Sequence, residues 1–166
     1  MVPTSVSRID QELRYRRIDP SADGDLAYAH YRETCIASFG VARRCISQSD
    51  YVNWLSERVE EYPDGHVLAL LQGKVVGQLE LQVPYGLDCG YVNLFWVAQS
   101  WRRLGMGRRM HDFALSYFRC WEARRIELHV SPTNHAAIAF YRSLGYRLTL
   151  VENGGEALWL MERGVP

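Results

Sequence analysis

The sequence predicts one mixed α/β domain over residues 1–166, and three observations predict it. Strand-like and helix-like segments follow in the order strand, two helices, three strands, helix, strand, helix, two strands. No internal repeat, low-complexity tract or Pro/Gly/Ser linker divides them. A chain of 166 residues with 48% hydrophobic side chains can bury a core without disulfide or metal staples.

Leu13 to Ile18 suits a first strand, although its alternation is poor. Asp19-Pro20-Ser21 opens a helix that places Leu26, Ala29, His30 and Ile36 roughly on one face and ends near Gly40. Ser47-x-x-Asp50 resembles a capping box and starts a second helix. Tyr51, Leu55, Val59 and Tyr62 mark its buried stripe, and Pro63-Asp64-Gly65 stops it. His66 to Leu71 and Lys74 to Val83 form a hairpin turning at Gln72-Gly73. The second of these strands alternates, with Val75, Gly77, Leu79, Leu81 and Val83 on one face and Val76, Gln78, Glu80 and Gln82 on the other.

Tyr91 to Val97 is almost wholly apolar and belongs at the centre of a sheet. Residues 105–122 form an amphipathic helix whose stripe of Met110, Phe113, Ala114, Tyr117, Phe118 and Trp121 reads as core packing, not as a cofactor box. Arg125 to Val130 is a strand, and Asn134 to Leu144 a short helix stopped by Gly145. Tyr146 to Val151 and Glu156 to Met161 close the chain as a hairpin around Asn153-Gly154-Gly155.

Nineteen basic and nineteen acidic side chains cancel, which argues against a polyanion-binding module or an acidic tail. The balance hides an asymmetry, because residues 1–90 carry a net −4 and residues 91–166 a net +4. No run of apolar residues is long enough to span a membrane, and Met1 to Gln11 lacks the order of a secretory signal. Cys35, Cys45, Cys89 and Cys120 show no C-x-x-C or zinc spacing, so no metal site is expected. Reduced, buried thiols in a cytoplasmic protein are the expectation.

The segment that carries chemistry is Val97-Ala98-Gln99-Ser100-Trp101-Arg102-Arg103-Leu104-Gly105-Met106-Gly107. An apolar strand ends, a short loop brings two arginines and two glycines, and a long helix begins. Unpaired N–H groups and the helix dipole favour an anion there, and the glycines let it approach the backbone. Arg102, Arg103, Arg108 and Arg109 add positive charge. The physical reading is a phosphate or pyrophosphate site. No Gly-Lys-Ser/Thr follows, which excludes a P-loop, and Met110 replaces the third glycine of a dinucleotide fingerprint.

This segment resembles the first signature of the GNAT superfamily of acyl-CoA-dependent N-acetyltransferases, R/Q-x-x-G-x-G/A at the start of a helix, matched by Arg102 to Gly107. Leu128 to Tyr146 is similar to the second signature, a strand followed by Asn134, a helix bearing Tyr141, then Gly145 and an aromatic. The match is strong over residues 91–147. Gln99 and Leu104 depart from the pattern, and position 104 loses a side-chain phosphate contact.

The resemblance implies the acyl-CoA N-acyltransferase fold, a central, largely antiparallel mixed sheet of about seven strands flanked by about four helices. It implies acetyl-CoA as co-substrate, with its arm between the strands at 91–97 and 125–130. Phe95 and Val97, the loop Arg102, Arg103, Leu104, Gly105, Met106, Gly107 and Arg108, and Asn134, Ala137 and Tyr141 would bind it. An N–H near Val97 would polarise the thioester carbonyl and Tyr141 would protonate the departing thiolate. Glu80, His129 or a water chain would serve as base. Asn93 stands where some relatives carry an acid, and an amide cannot take that role.

The implied reaction is acetyl transfer to a primary amine of a small molecule or a protein, with no nucleic-acid or membrane partner. The acceptor site would use the link from Phe39 to Ser49 and the loop from Glu152 to Gly155, with Tyr28, Tyr31, Phe39 and Trp54 as an aromatic pocket or as core. A homodimer is frequent in the family, and no feature of this sequence decides it. Two other readings stand beside this one: a catalytically silent CoA-binding sensor of the same fold, and a nucleic-acid stripe at the arginine cluster.

Overall fold

The computed structural model describes residues 12–40, 45–152 and 157–166. Its elements are β1 (Leu13–Arg17), α1 (Pro20–Phe39), α2 (Gln48–Glu61), β2 (His66–Leu71), β3 (Lys74–Gln82), β4 (Cys89–Val97), α3 (Met106–Cys120), β5 (Arg125–Val130), α4 (His135–Ser143), β6 (Arg147–Glu152) and β7 (Leu158–Gly164). The predicted order of seven strands and four helices is therefore present, with most boundaries within two residues. The loop Asn153-Gly154-Gly155 and the segment 41–44, both assigned to the acceptor side, lie outside the described residues.

The seven strands form one mixed sheet in the order β1-β2-β3-β4-β5-β7-β6. Every neighbouring pair is antiparallel except β4 and β5. A parallel pair cannot be joined by a tight turn, and α3 supplies the crossover between them. The larger core lies between the sheet and the helices α3 and α4, around Leu79, Leu81, Met110, Phe118, Ile126 and Met161. A smaller core on the other face joins α1 and α2 to the sheet through Ile18, Ala27, Tyr51, Leu55 and Leu68.

Caps set the helix ends as the sequence implies. Asp19 accepts from Ser21 N–H at the start of α1, and Ser47 accepts from Asp50 N–H at the start of α2. Two patterns differ from expectation. In α1 the buried residues are Asp23, Gly24, Ala27, His30 and Cys35, whereas Leu26, Ala29 and Ile36 face solvent. Small and polar residues let this helix lie close to the sheet, so its apolar residues do not mark the buried side. In β3 a bulge at Val76, between the pairs Ala69↔Gly77 and Leu70↔Val75, exchanges the faces expected for Val75 and Val76. The face of Gln78 and Glu80 is not solvated either, because α1 and α2 cover it and leave both residues 0% exposed. The cysteines are free thiols as expected, with Cys35 and Cys89 buried, but Cys120 is exposed.

Two packing consequences are measurable. Gly90 of β4 faces the Phe118 ring so closely that an added Cβ would overlap it. Gly90→Ala is expected to cost about 1–3 kcal/mol, read as a lower urea midpoint with unchanged m-value. His66 and His111 are buried, and loss of solvation pulls each down from 6.5 to about 4; the Arg58 charge assists at His66, and the Arg163 and Arg108 charges at His111. The unfolded chain then binds more protons than the folded one between these values. Stability should be full above about pH 6.5 and fall toward pH 4 by roughly 3 kcal/mol per histidine. Urea titrations at pH 7.5 and 4.5 check this, and His66→Leu should flatten the dependence.

Candidate functional site

Strands β4 and β5 pair only through Cys89↔Arg125, Gly90↔Ile126 and Tyr91↔Glu127. Beyond Tyr91 they part. β4 stays with β3 up to Gly77↔Val97, while β5 stays with β7 up to Val130↔Trp159. The parting coincides with a bulge, since Glu80 pairs with Leu94 and Leu81 with Val92, which leaves Asn93 as the extra residue. The opening broadens into a cleft of about 580 Å³ walled by Phe95–Val97, the loop before α3, α4 and the C-terminal half of α1. Thr133 Oγ1 donates to Ser38 O at 3.2 Å and ties the end of α1 to the loop before α4.

The loop that enters α3 is built from local backbone geometry. Arg103 and Gly105 both hold positive φ, 63° and 80°, on either side of Leu104. Gly105 caps α3 without any side-chain hydrogen bond, and the first turn of the helix contains no acidic residue. The orphan N–H groups of that turn are thus left for an anion. A Cβ on Gly107 would lie 2.9 Å from the Phe140 ring, so the glycine keeps this wall open. Arg102 is an internal brace: its Nε donates to Val97 O at 2.7 Å and its Nη2 pairs with Glu33 at 2.5 Å. Arg103 and Arg108 also line the cleft, and among the described residues neither has an ion-pair partner.

Of the residues expected to bind the acyl donor, Phe95, Val97, Arg102, Arg103, Gly105, Gly107, Arg108, Asn134, Ala137 and Tyr141 line this one cleft. Leu104 and Met106 do not: Leu104 is 41% exposed, and Met106 is part of the core under the sheet. Asn134 Oδ1 accepts from Ala137 N–H at 3.2 Å as the N-cap of α4. Ala98 N–H donates to Val76 O on β3, so strand alternation turns the Val97 amide toward the opening.

Tyr141 is buried among aromatic rings, with Phe95 at 6.3 Å, Phe140 at 5.3 Å and Tyr146 at 5.4 Å. Burial pushes its phenol well above the ordinary tyrosine range, and the nearby Tyr91 adds to the effect. Tyr141 is one of the residues that line the cleft.

Glu80 belongs to a buried polar network on the α1–α2 face. Its carboxylate accepts from Tyr51 Oη and, at 2.9 Å, from Gln78 Nε2 on one oxygen. On the other it accepts from Asn93 Nδ2 at 2.8 Å. Gln78 Oε1 meets His30 Nδ1 at 2.8 Å, and the His30 ring stacks on Trp96 at 3.6 Å. Burial raises the Glu80 carboxyl above its usual range, while these three donors oppose the shift. The network pins the bulged residue Asn93 to β3 and holds the strands in their parted course.

A second polar group was visible in sequence only through His129. Tyr91 Oη lies 2.8 Å from His129 Nδ1, and His129 Nε2 lies 3.3 Å from Glu152 Oε2. Tyr91 and Glu152 sit 38 and 23 positions from the histidine, on β4 and β6, and nothing in their spacing marks them. Glu33 was missed for the same reason. Of the aromatic residues considered for the acceptor side, Tyr28, Tyr31 and Trp54 pack around Tyr51. Tyr28 Oη also donates to Ile46 O and Tyr31 Oη accepts from Ile46 N–H, fixing the link before α2. Phe39 is the last residue of α1.

Among the described residues there is no cluster that could hold a metal ion, and no helix is long and apolar enough to cross a membrane.

No curated protein sequence matches the chain. Solved structures do. Ard1 from Thermoplasma volcanium superposes with a TM-score of 0.73 at 22% identity, covering 93% of this chain and 98% of that one. The ribosomal-protein-S18-alanine N-acetyltransferase from Escherichia coli gives 0.71 at 19% identity, covering 93% and 94%. The yncA protein of Salmonella typhimurium, solved with its cofactor acetyl-CoA, gives 0.69 at 17% identity, covering 93% and 95%. At these identities the likeness establishes the acyl-CoA N-acyltransferase fold. The family model "Acetyltransferase (GNAT) family" matches residues 26–146, which include the parted strands, the α3 loop and α4. The chain belongs to the GNAT acetyltransferase family.

Proposed function

We propose that this protein is an N-acetyltransferase that moves an acetyl group from acetyl-CoA to a primary amine by direct attack on the thioester. The observation that carries the proposal is the cleft between β4 and β5, which leads from an uncapped, arginine-flanked helix N-terminus to a buried tyrosine hydroxyl. The residues fit the donor. The α3 N–H groups with Arg103 and Arg108 suit a diphosphate, and the unpaired edge of β4 suits the amides of a pantetheine arm.

Acetyl-CoA, when bound, supplies a thioester activated toward nucleophiles. The chain does the rest. The Val97 amide is fixed in the strand and donates to the carbonyl oxygen as negative charge grows there, at no cost in reorganisation. Arg102 holds that stretch of β4 by its bond to Val97 O. Tyr141 stays protonated at neutral pH because its phenol is held above its ordinary range, and it gives that proton to the departing thiolate. Glu80 is 0% exposed with both oxygens bonded, so its part is to hold the bulge rather than to meet the amine. Reduced cysteines, neutral composition and use of acetyl-CoA suit a cytoplasmic setting.

Acetyl-CoA at a hundred times its dissociation constant should stabilise the fold by about 2.7 kcal/mol, seen as a rise in Tm. No shift at millimolar ligand overturns the proposal. Release of CoA over a panel of small-molecule amines and peptide N-termini identifies the acceptor. Tyr141→Phe should lower kcat on the order of 10²-fold while leaving acetyl-CoA affinity nearly intact. A protein that binds acetyl-CoA and transfers to no amine is instead the silent sensor.

A further inference from the structure

A pair of thiols stands apart from the acetyl-transfer machinery, behind the wall that α1 gives to the cleft. Glu33, Thr34 and Ala37 of α1 line the cleft, and Cys35, among them in sequence, is buried. Tyr31 precedes Cys35 by four residues, so the two side chains share one face of the helix. The Tyr31 hydroxyl accepts from Ile46 N–H at 3.3 Å, which brings Cys45, the residue before it, to the same face. Tyr28 Oη donates to Ile46 O at 3.0 Å, so residue 46 is held at both its backbone groups. The Cys35 sulfur is thereby in hydrogen-bonding contact with the Cys45 thiol and with the Tyr31 hydroxyl. Cys45, unlike Cys35, is partly exposed.

We propose that Cys35 and Cys45 form a redox modification site, a thiol pair that takes a peroxide as oxidant and closes to an intramolecular disulfide. Thiols already in contact need little side-chain movement to bond. In a reducing compartment a disulfide of this kind is transient and reports the oxidant rather than stapling the fold.

The two thiols differ as the chemistry requires. Cys45 is within reach of solvent and meets the oxidant first. At Cys35, burial pushes the thiol up to about 12 and the Cys45 neighbour adds to the shift, which keeps it protonated and inert toward oxidant in solution. The Tyr31 hydroxyl acts in the opposite sense. It donates to the Cys35 sulfur while its oxygen accepts from Ile46 N–H, which eases loss of the thiol proton once a partner sulfur is ready.

In the first step a peroxide oxygen bonds to Cys45 Sγ, the O–O bond breaks and one water leaves. The sulfur, now a sulfenic acid, has lost two electrons and the peroxide has gained them. In the second step Cys35 Sγ releases its proton and attacks Cys45 Sγ. The S–S bond forms, the S–O bond breaks, and the hydroxyl departs with that proton as a second water. The product ties Cys45, and Ile46 beside it, covalently to α1. That helix is fastened in turn to the loop before α4, through Ser38 O and Thr133 Oγ1. Under the acetyl-transfer reading the link before α2 belongs to the acceptor side, so oxidation weakens amine binding and spares the donor; only this consequence rests on that reading.

The test treats the reduced, intact protein with hydrogen peroxide, blocks the remaining thiols and maps the peptides by mass spectrometry. A Cys35–Cys45 cross-linked pair, two hydrogens lighter than its separate peptides and split by dithiothreitol, is the expected result. Cys45 left as sulfenic or sulfinic acid beside a free Cys35, or either one joined to Cys89 or Cys120, overturns the assignment. Cys45→Ser should keep the wild-type urea midpoint and leave Cys35 unmodified, and oxidation of Cys35 at the wild-type rate in that variant overturns the assignment as well. Tyr31→Phe should slow closure, seen as more sulfenic acid trapped at Cys45 by dimedone; equal trapping removes Tyr31 from the step. In kinetics, the oxidised protein should show a higher KM for the amine with unchanged acetyl-CoA affinity, restored by dithiothreitol and absent in Cys45→Ser. An identical KM overturns the acceptor-side consequence. No transfer by the reduced protein to any amine overturns the acetyl-transfer reading, and the disulfide is then decided by the peptide map alone.

Discussion

The structure depends on one constraint, the parting of two parallel strands that share only three residue pairs. A bulge alone would not hold them apart. Asn93, the extra residue on β4, is held to Glu80 on β3, and Glu80 is itself held by Tyr51 from α2 and Gln78 on β3. Gln78 carries the chain on to His30 of α1, which stacks against Trp96 two residues past Leu94. A buried carboxylate without partners would cost several kcal/mol, whereas one with three donors becomes a rigid joint. The joint connects both helices of one face to the strand whose edge forms the cleft.

The cleft follows from that geometry. Because β4 leaves β5 after Tyr91, Phe95–Val97 have no paired strand on that side among the described residues, Val97 O being taken by Arg102, and α4 brings Tyr141 over the gap. The arginines divide their labour in a way that charge counting does not show. Arg102 is spent on Val97 O and Glu33, fastening α1 to the strand end, while Arg103 and Arg108 face the cleft. Backbone conformation matters as much as charge at this loop. Positive φ at Arg103 and Gly105 turns the chain so that α3 begins with bare N–H groups.

The same parting brings residues from distant strands together at its throat. Tyr91 and His129 become neighbours only because β4 and β5 are parallel and in register at that level, and Glu152 joins because β6 lies one strand beyond β7. Tyr141 reaches the opening from α4, while Tyr91 stands in the last residue pair before the strands part.

Local information sufficed for a great deal. Caps at Asp19, Ser47 and Asn134, the turn at Gln72-Gly73, and the strand-loop-helix with glycines at 105 and 107 act over a few residues, so the sequence by itself determined the elements, their order and the loop that enters α3. It also marked Tyr141 through its place after Asn134. What it misjudged depends on what covers a face. Alternation in β3 implied a wet Glu80, but helices lie on both sides of the sheet, and a bulge at Val76 shifted the register. In α1 small residues took the buried side, against the apolar pattern. Only the tertiary structure decided that Arg102 is a brace, that Glu80 is a joint, and that Tyr91, His129 and Glu152 meet. These are contacts across 13 to 69 positions of chain, set by strand order and register, which no local propensity encodes.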